Sequence, residues 1–188
     1  RVSLGWKASA DQNVYASWTE GFKGGGFDPR MNLVGSKLTL DKAKQGFLPE
    51  QISTFEIGLK SAFAKNTVLT NIAVFHSDYK EVQIPGSVAI DTNGDGKDDS
   101  FAGVTTNAGK AKIDGIELEA TARLTDAFSM SGMFSYIDAK YTKYIGAGNI
   151  DVANLRVFQN TPKQTASIRA NYDWDMAMLG NSGKLTLS

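Results

Sequence analysis

Along most of this chain apolar and polar residues alternate with a period of two, the pattern of a strand that presents one apolar face. Val2, Leu4, Trp6 and Ala8 stand opposite Arg1, Ser3, Lys7 and Ser9. Ile116, Leu118, Ala120, Ala122 and Leu124 stand opposite Glu117, Glu119, Thr121 and Arg123, and Ala166, Ile168, Ala170, Tyr172 and Trp174 opposite Thr165, Ser167, Arg169, Asn171 and Asp173. Phe55, Ile57, Leu59 and Phe63 face away from Glu56 and Lys60, and Phe128, Met130, Phe134 and Tyr136 repeat the scheme with Gly132 in the apolar row. Residues 68–84 are ambiguous, because either phase mixes apolar with polar side chains. No helical period competes, and Thr, Val, Phe and Tyr crowd these segments as strands favour. The pattern predicts an all-β chain of about eight strands, near 1–9, 14–20, 51–63, 68–84, 105–123, 128–144, 161–174 and 184–188.

The gaps between strands alternate strictly. Ala10-Asp11-Gln12-Asn13, Ala64-Lys65-Asn66-Thr67 and Thr125-Asp126-Ala127 are tight turns, with a slightly longer one over 175–183, whereas long connections cover about 21–50, 85–104 and 145–160. In an antiparallel up-and-down meander every second connection lies at the same end. One rim therefore carries short turns and the other large loops, as in outer-membrane barrels with short periplasmic turns and long extracellular loops. Several expected strands exceed the ~5–6 residues usual in globular proteins and meet the ~9–11 that a tilted membrane strand requires. Trp18, Phe63, Tyr136, Tyr172 and Trp174 fall near strand ends, where interfacial girdles form.

Composition narrows the alternatives. Among 188 residues, Lys+Arg (20) and Asp+Glu (20) balance, which argues against nucleic-acid binding, whose footprint is a basic excess. There is no cysteine and one histidine, His76, so a disulfide framework, a thiolate zinc site, a Cys nucleophile and a multi-His metal centre are excluded. No run approaches the ~18–20 apolar residues of a membrane helix, a test to which β-barrels are blind.

The segment Val14-Tyr15-Ala16-Ser17-Trp18-Thr19-Glu20-Gly21-Phe22-Lys23-Gly24-Gly25-Gly26-Phe27 resembles a signature of TonB-dependent outer-membrane receptors, and Leu48-Pro49-Glu50 with Thr54-Phe55-Glu56-Ile57-Gly58-Leu59-Lys60-Ser61 resembles another. Val74-Phe75 through Tyr79, Val82-Gln83, Asn107-Ala108-Gly109-Lys110-Ala111, Gly115-Ile116-Glu117-Leu118-Glu119 and Thr161-Pro162 continue the likeness in family order. The resemblance implies that residues 1–188 are a C-terminal part of a 22-stranded barrel in the Gram-negative outer membrane, without the final strands, the plug and the TonB-contacting box. It further implies a transport receptor, not an enzyme. Its partners are the lipid bilayer, a scarce small-molecule nutrient such as an iron-siderophore, and TonB, which energises uptake through the N-terminal region. This segment then supplies barrel wall and extracellular loops. Two alternatives stand beside it: a self-contained eight-stranded barrel of structural or adhesive role, and a soluble calcium-binding β-domain whose apolar rows meet in a dry core.

Candidate chemistry is confined to the loops. Asp91-Thr92-Asn93-Gly94-Asp95-Gly96-Lys97-Asp98-Asp99 places oxygen side chains at positions 1, 3, 5 and 9 around Gly96, the spacing of a calcium loop in which position 7, Lys97, offers its carbonyl. The expected side-chain ligands are Asp91, Asn93, Asp95 and Asp99. Ala102 stands where an EF-hand has its bidentate Glu, and a solvated acidic turn is the alternative. No other cofactor is expected. Gly21 to Phe27 lacks the Gly-Lys-Ser/Thr ending of a phosphate loop, so its glycines suit a sharp bend or a close backbone approach at the rim. His76 has no nucleophile in its sequence neighbourhood, and Glu117 and Glu119 continue a polar face that a hydrated lumen explains. Ligand contacts are expected from Phe22, Lys23, Phe27, Arg30 and Arg156, with Phe47 and Phe158.

Overall fold

The computed structural model describes residues 1–29, 44–146, 150–178 and 181–187. Eight strands form one antiparallel sheet in sequence order: β1 (Val2–Lys7), β2 (Gln12–Lys23), β3 (Glu50–Phe63), β4 (Val68–Ile90), β5 (Ser100–Arg123), β6 (Phe128–Tyr144), β7 (Gln164–Met178) and β8 (Asn181–Leu187). Every neighbour pair is antiparallel, so the chain is the up-and-down meander that its gap pattern predicts. β1 and β8 are the edges of an open sheet, and among the described residues it does not close as a barrel of eight.

Register sorts the side chains by face. One cross-strand row runs Trp6, Val14, Leu59, Ile72, Leu118, Phe134, Ala166. The row one residue away, on the opposite face, runs Lys7, Asn13, Lys60, Asn71, Glu119, Met133, Ser167. Among the described residues the apolar rows meet no second layer: Ile72 is 43%, Ile116 47% and Leu118 38% exposed. A soluble protein does not tolerate so continuous an apolar surface, which removes the dry-core alternative. Among the described residues the buried apolar ones are Ala73, Val82, Ile84, Ile90, Ala102 and Ala111, none of them aromatic. Trp18, Phe63, Tyr136, Tyr172 and Trp174 all lie exposed on the apolar side.

The short-turn rim is built by local chemistry. Ala64, Lys65 and Asn66 take left-handed φ values of 49°, 56° and 69°, and Thr67 Oγ1 donates to the Ala64 carbonyl at 2.9 Å. Thr125 Oγ1 accepts from the amides of Ala127 and Phe128. At the opposite rim the structure departs from expectation. The expected loop 85–104 is a continuation of β4 and β5 as a long hairpin, with only residues 91–99 at its tip. Back at the short-turn rim, β7 and β8 extend to Met178 and from Asn181, narrowing the turn expected over 175–183. The ambiguity of 68–84 has two structural causes: the outward row of β4 changes from Val68, Ile72 and Val74 to His76, Asp78 and Lys80, and a bulge lies between Tyr79 and Val82, where Glu81 adopts φ 54°. A bulge inserts an unpaired residue and shifts the phase of every side chain beyond it.

Candidate functional site

The motifs at positions 24–26, 47–50, 79–83 and 107 lie far apart in sequence and converge at the long-loop rim. Gly26 and Phe47 form an isolated antiparallel bridge, Gly26 N to Phe47 O at 3.0 Å and Phe47 N to Gly26 O at 2.7 Å. A Cβ on Gly25 would lie 2.3 Å from the Phe47 carbonyl oxygen, so only glycine permits this approach. Gln83 and Asn107 are cross-strand partners on β4 and β5. Gln83 Nε2 donates to the carbonyls of Gly24 (2.8 Å) and Leu48 (3.1 Å). Asn107 Nδ2 donates to those of Leu48 and Glu81, both at 2.8 Å, while its Oδ1 accepts from Leu48 N at 2.6 Å. Two amide side chains thus tie both feet of the connection between β2 and β3 to the β4–β5 hairpin.

Beside this clamp is an aromatic and charged cluster on the polar face. Glu50, a buried carboxylate, accepts Tyr79 OH at 2.6 Å and Gln83 N at 2.8 Å, with Lys23 Nζ 3.8 Å away. Burial and the Glu50 carboxylate hold the Tyr79 hydroxyl well above the ordinary phenol range. Burial, then Tyr144 and Glu50, also push up Tyr141. A bulge in β6, where Ala111 pairs Tyr141 and Lys110 pairs Lys143, brings Tyr141 and Tyr144 to the same face. Their rings meet edge-on at 5.1 Å, Phe158 stacks on Tyr141 at 4.3 Å, and the Arg156 guanidinium lies 5.1 Å from the Tyr144 ring centroid. Asp151 folds the β6–β7 connection into place, its Oδ1 accepting from Tyr144 N and Ala153 N at 3.0 Å, and these amides lower its pKa.

Of the expected ligand contacts, Lys23 and Arg156 lie in this cluster, together with Phe158. Phe22 is 81% exposed and shares the apolar outer face with Trp18, so it points away from the cluster. Phe27 and Phe47 pack around Gly46 and Gly26 at the loop foot. Arg30 lies outside the described residues. Tyr79, Tyr141, Tyr144, Glu50, Gln83 and Asn107 are the members that motif reading did not single out as contacts. Gln83 and Asn107 sit within recognisable motifs, but their shared task is visible only in three dimensions.

The hairpin tip is internally bonded. Asp91 Oδ1 accepts from Asn93 N and Gly94 N, and Oδ2 from Gly96 N at 2.8 Å. Asn93 Oδ1 accepts Asp95 N, Asp95 Oδ1 accepts Lys97 N, and Asp99 Oδ1 accepts Thr92 N and Oγ1. Among the described residues no group of three or more His, Asp or Glu side chains is arranged to hold a metal ion. The calcium expectation over Asp91, Asn93, Asp95, Lys97 and Asp99 gains no support from this arrangement. The Gly96 amide foremost, with Gly94, Asn93 and Asp95, lowers the Asp91 pKa. A depressed carboxylate stabilises the folded tip above its ordinary pKa, and that contribution is lost as pH falls through the lowered folded value. The Gly94 and Gly96 amide resonances should therefore titrate together below the usual Asp range, and Asp91→Asn should abolish that titration.

His76 and Asp114, hydrogen-bonded at 2.7 Å, lie on the outer face, and Glu117 and Glu119 on the polar face. A family described as "TonB dependent receptor-like, beta-barrel" matches residues 1–187. The chain belongs to this family. TonB-dependent receptors are transport receptors of the Gram-negative outer membrane, and this chain is a part of such a barrel's wall. It is 29% identical over 140 residues (71% of the chain, 17% of the relative) to the probable TonB-dependent siderophore receptor PiuA of Acinetobacter baumannii. It is 24% identical over 174 residues (93% and 20%) to the metal-pseudopaline receptor CntO of Pseudomonas aeruginosa. The ferric yersiniabactin uptake receptor FyuA of Yersinia pestis superposes with TM-score 0.64 at 23% identity, covering 98% of this chain and 23% of that one. The ferric preacinetobactin receptor BauA of Acinetobacter baumannii gives 0.60 at 23% identity, with the same coverage. The chain therefore spans about a fifth of the length of these relatives. The solved neighbours establish the fold, a 22-stranded barrel of which these eight strands are a sector.

Proposed function

We propose that this chain is wall and extracellular mouth of a receptor that imports a metal chelate of siderophore type, energised through TonB. The plug and the TonB-contacting segment lie in parts of the protein outside these residues. The observation that carries the reading is the convergence of Tyr79, Tyr141, Tyr144, Phe158 and Arg156 on the lumen-side face at the long-loop rim. Half-buried aromatic rings flanked by a guanidinium offer stacking area and positive charge to a flat, anionic chelate. The receptors it resembles are named for a siderophore (PiuA), metal-pseudopaline (CntO), ferric yersiniabactin (FyuA) and ferric preacinetobactin (BauA).

The test is uptake of radio-iron, presented as a panel of iron-loaded siderophores, by cells carrying the full-length receptor. Arg156→Ala removes the guanidinium that this cluster offers to an anionic chelate, so half-maximal uptake should require several-fold more chelate at an unchanged maximal rate. Uptake of every chelate unaffected by Arg156→Ala and Tyr144→Ala together would remove this cluster from the transport path.

A further inference from the structure

The outer wall changes character abruptly above the apolar band. On β4 the outward positions Val68, Thr70, Ile72 and Val74 give way to His76, Asp78 and Lys80. On β5 Ala122, Ala120, Leu118 and Ile116 give way to Asp114, Lys112 and Lys110, and on β6 Met130, Gly132, Phe134 and Tyr136 give way to Asp138 and Lys140. From Val68, beside the short turn, to His76 is eight residue steps, roughly 26 Å along a strand at ~3.3 Å each. At a tilt of ~40° that is about 20 Å of height, close to the ~25 Å apolar band of such barrels. His76 and Asp114 thus mark the upper edge of the hydrocarbon; Lys112 and Lys140 stand one outward row higher and Lys80 and Lys110 two, at headgroup level.

The register places like charges face to face. Lys112 is directly opposite Lys140, and Lys110 directly opposite Lys143, an arrangement that destabilises a sheet unless an anion intervenes. The carboxylates of the belt do not fully answer them. Asp114 is taken by His76 at 2.7 Å, Asp78 approaches His76 at 3.6 Å, and Asp138 pairs with Lys140 at 2.5 Å. Asp78 is the cross-strand partner of Lys112, yet no ion pair joins them. Among the described residues Lys80, Lys110 and Lys112 form no ion pair, and all three are exposed.

We propose that Lys80, Lys110, Lys112 and Lys140 form a belt on the lipid-facing wall that binds the phosphate groups of outer-leaflet lipid headgroups. The belt is continuous with the apolar face that contacts the acyl chains, so a single lipid meets both surfaces. Each Lys near a charged leaflet contributes attraction that falls off within a Debye length. The inference rests on the chain's place in the outer membrane and is independent of which chelate the receptor carries.

The experiment uses the full-length receptor in two arms. In the first, wild type and the K80Q/K110Q/K112Q/K140Q variant are extracted in mild detergent, and co-purifying phosphorylated lipid is counted by mass spectrometry. Retention should fall several-fold in the variant. In the second, wild-type receptor in phosphatidylcholine vesicles is supplemented with lipid A, with dephosphorylated lipid A, or with inorganic phosphate. Lipid A alone should raise the unfolding midpoint, and the rise should shrink at high salt. Equal lipid retention by a folded variant overturns the proposal. So does equal stabilisation by the dephosphorylated lipid, or a full effect from inorganic phosphate alone. If the variant fails to fold, the vesicle arm decides by itself.

Discussion

Replacing Leu118 by Arg is expected to destabilise the barrel by about 2–4 kcal/mol, the cost of a cation near the bilayer midplane. Leu118 occupies the middle of the apolar row, between Ile72 on β4 and Phe134 on β6. From there a guanidinium has no short route to either headgroup region, and no carboxylate shares its row. Glu119→Gln, one residue away on the polar face, should change stability by no more than ~0.5 kcal/mol, because its side chain faces the hydrated interior. Reversible urea unfolding of the full-length receptor in phospholipid vesicles measures both. If the two substitutions cost the same, the assignment of the apolar face to lipid is wrong.

The second large effect is expected at Asn107. Its side chain makes three hydrogen bonds, two to Leu48 and one to Glu81, 59 and 26 residues away in sequence. Asn107→Ala removes them all. Each contributes about 0.5–1.5 kcal/mol, and because the two to Leu48 are exposed, water replaces part of that. A local cost of about 1–2 kcal/mol at the loop foot corresponds to roughly 5–30-fold faster exchange of the Leu48 amide. The unfolding midpoint of the barrel should barely move, since the clamp lies beyond the membrane rows. Asn107→Asp should be worse than Ala. It forfeits both donations and sets a carboxylate against the Leu48 and Glu81 carbonyl oxygens. Exchange in Asn107→Asp no faster than in Asn107→Ala would show that this amide does not hold the loop foot.

These two residues illustrate how differently the chain discloses its parts. Leu118 was legible at once, since a strand's faces alternate and its neighbours Glu117 and Glu119 fix which face is wet. Asn107 was legible only as one letter of a motif. The Asp91–Asp99 spacing marks a tip rich in oxygen donors, and the structure adds which of the tip's own amides those carboxylates accept from. Phe22 was expected among ligand contacts on residue type, and the same two-residue period that placed Leu118 puts it on the outer face.

What the sequence by itself determined is everything that a period of two and a turn can carry: strand number, antiparallel order, the lipid-facing rows, and the rim that bears the loops. Such features depend on neighbours one to four residues apart. The tertiary structure decided the rest. The left-handed Glu81 bulge that re-phases β4, the extension of β4 and β5 beyond the membrane, and the β6 bulge that gathers Tyr141 and Tyr144 with Arg156 and Phe158 all depend on pairings between distant strands. The clamp of Gln83 and Asn107 on Gly24 and Leu48 spans 59 residues. Contacts at that range leave no periodic trace in a chain, because hydrogen bonds are specified by where the fold brings two groups, not by what lies beside each in sequence.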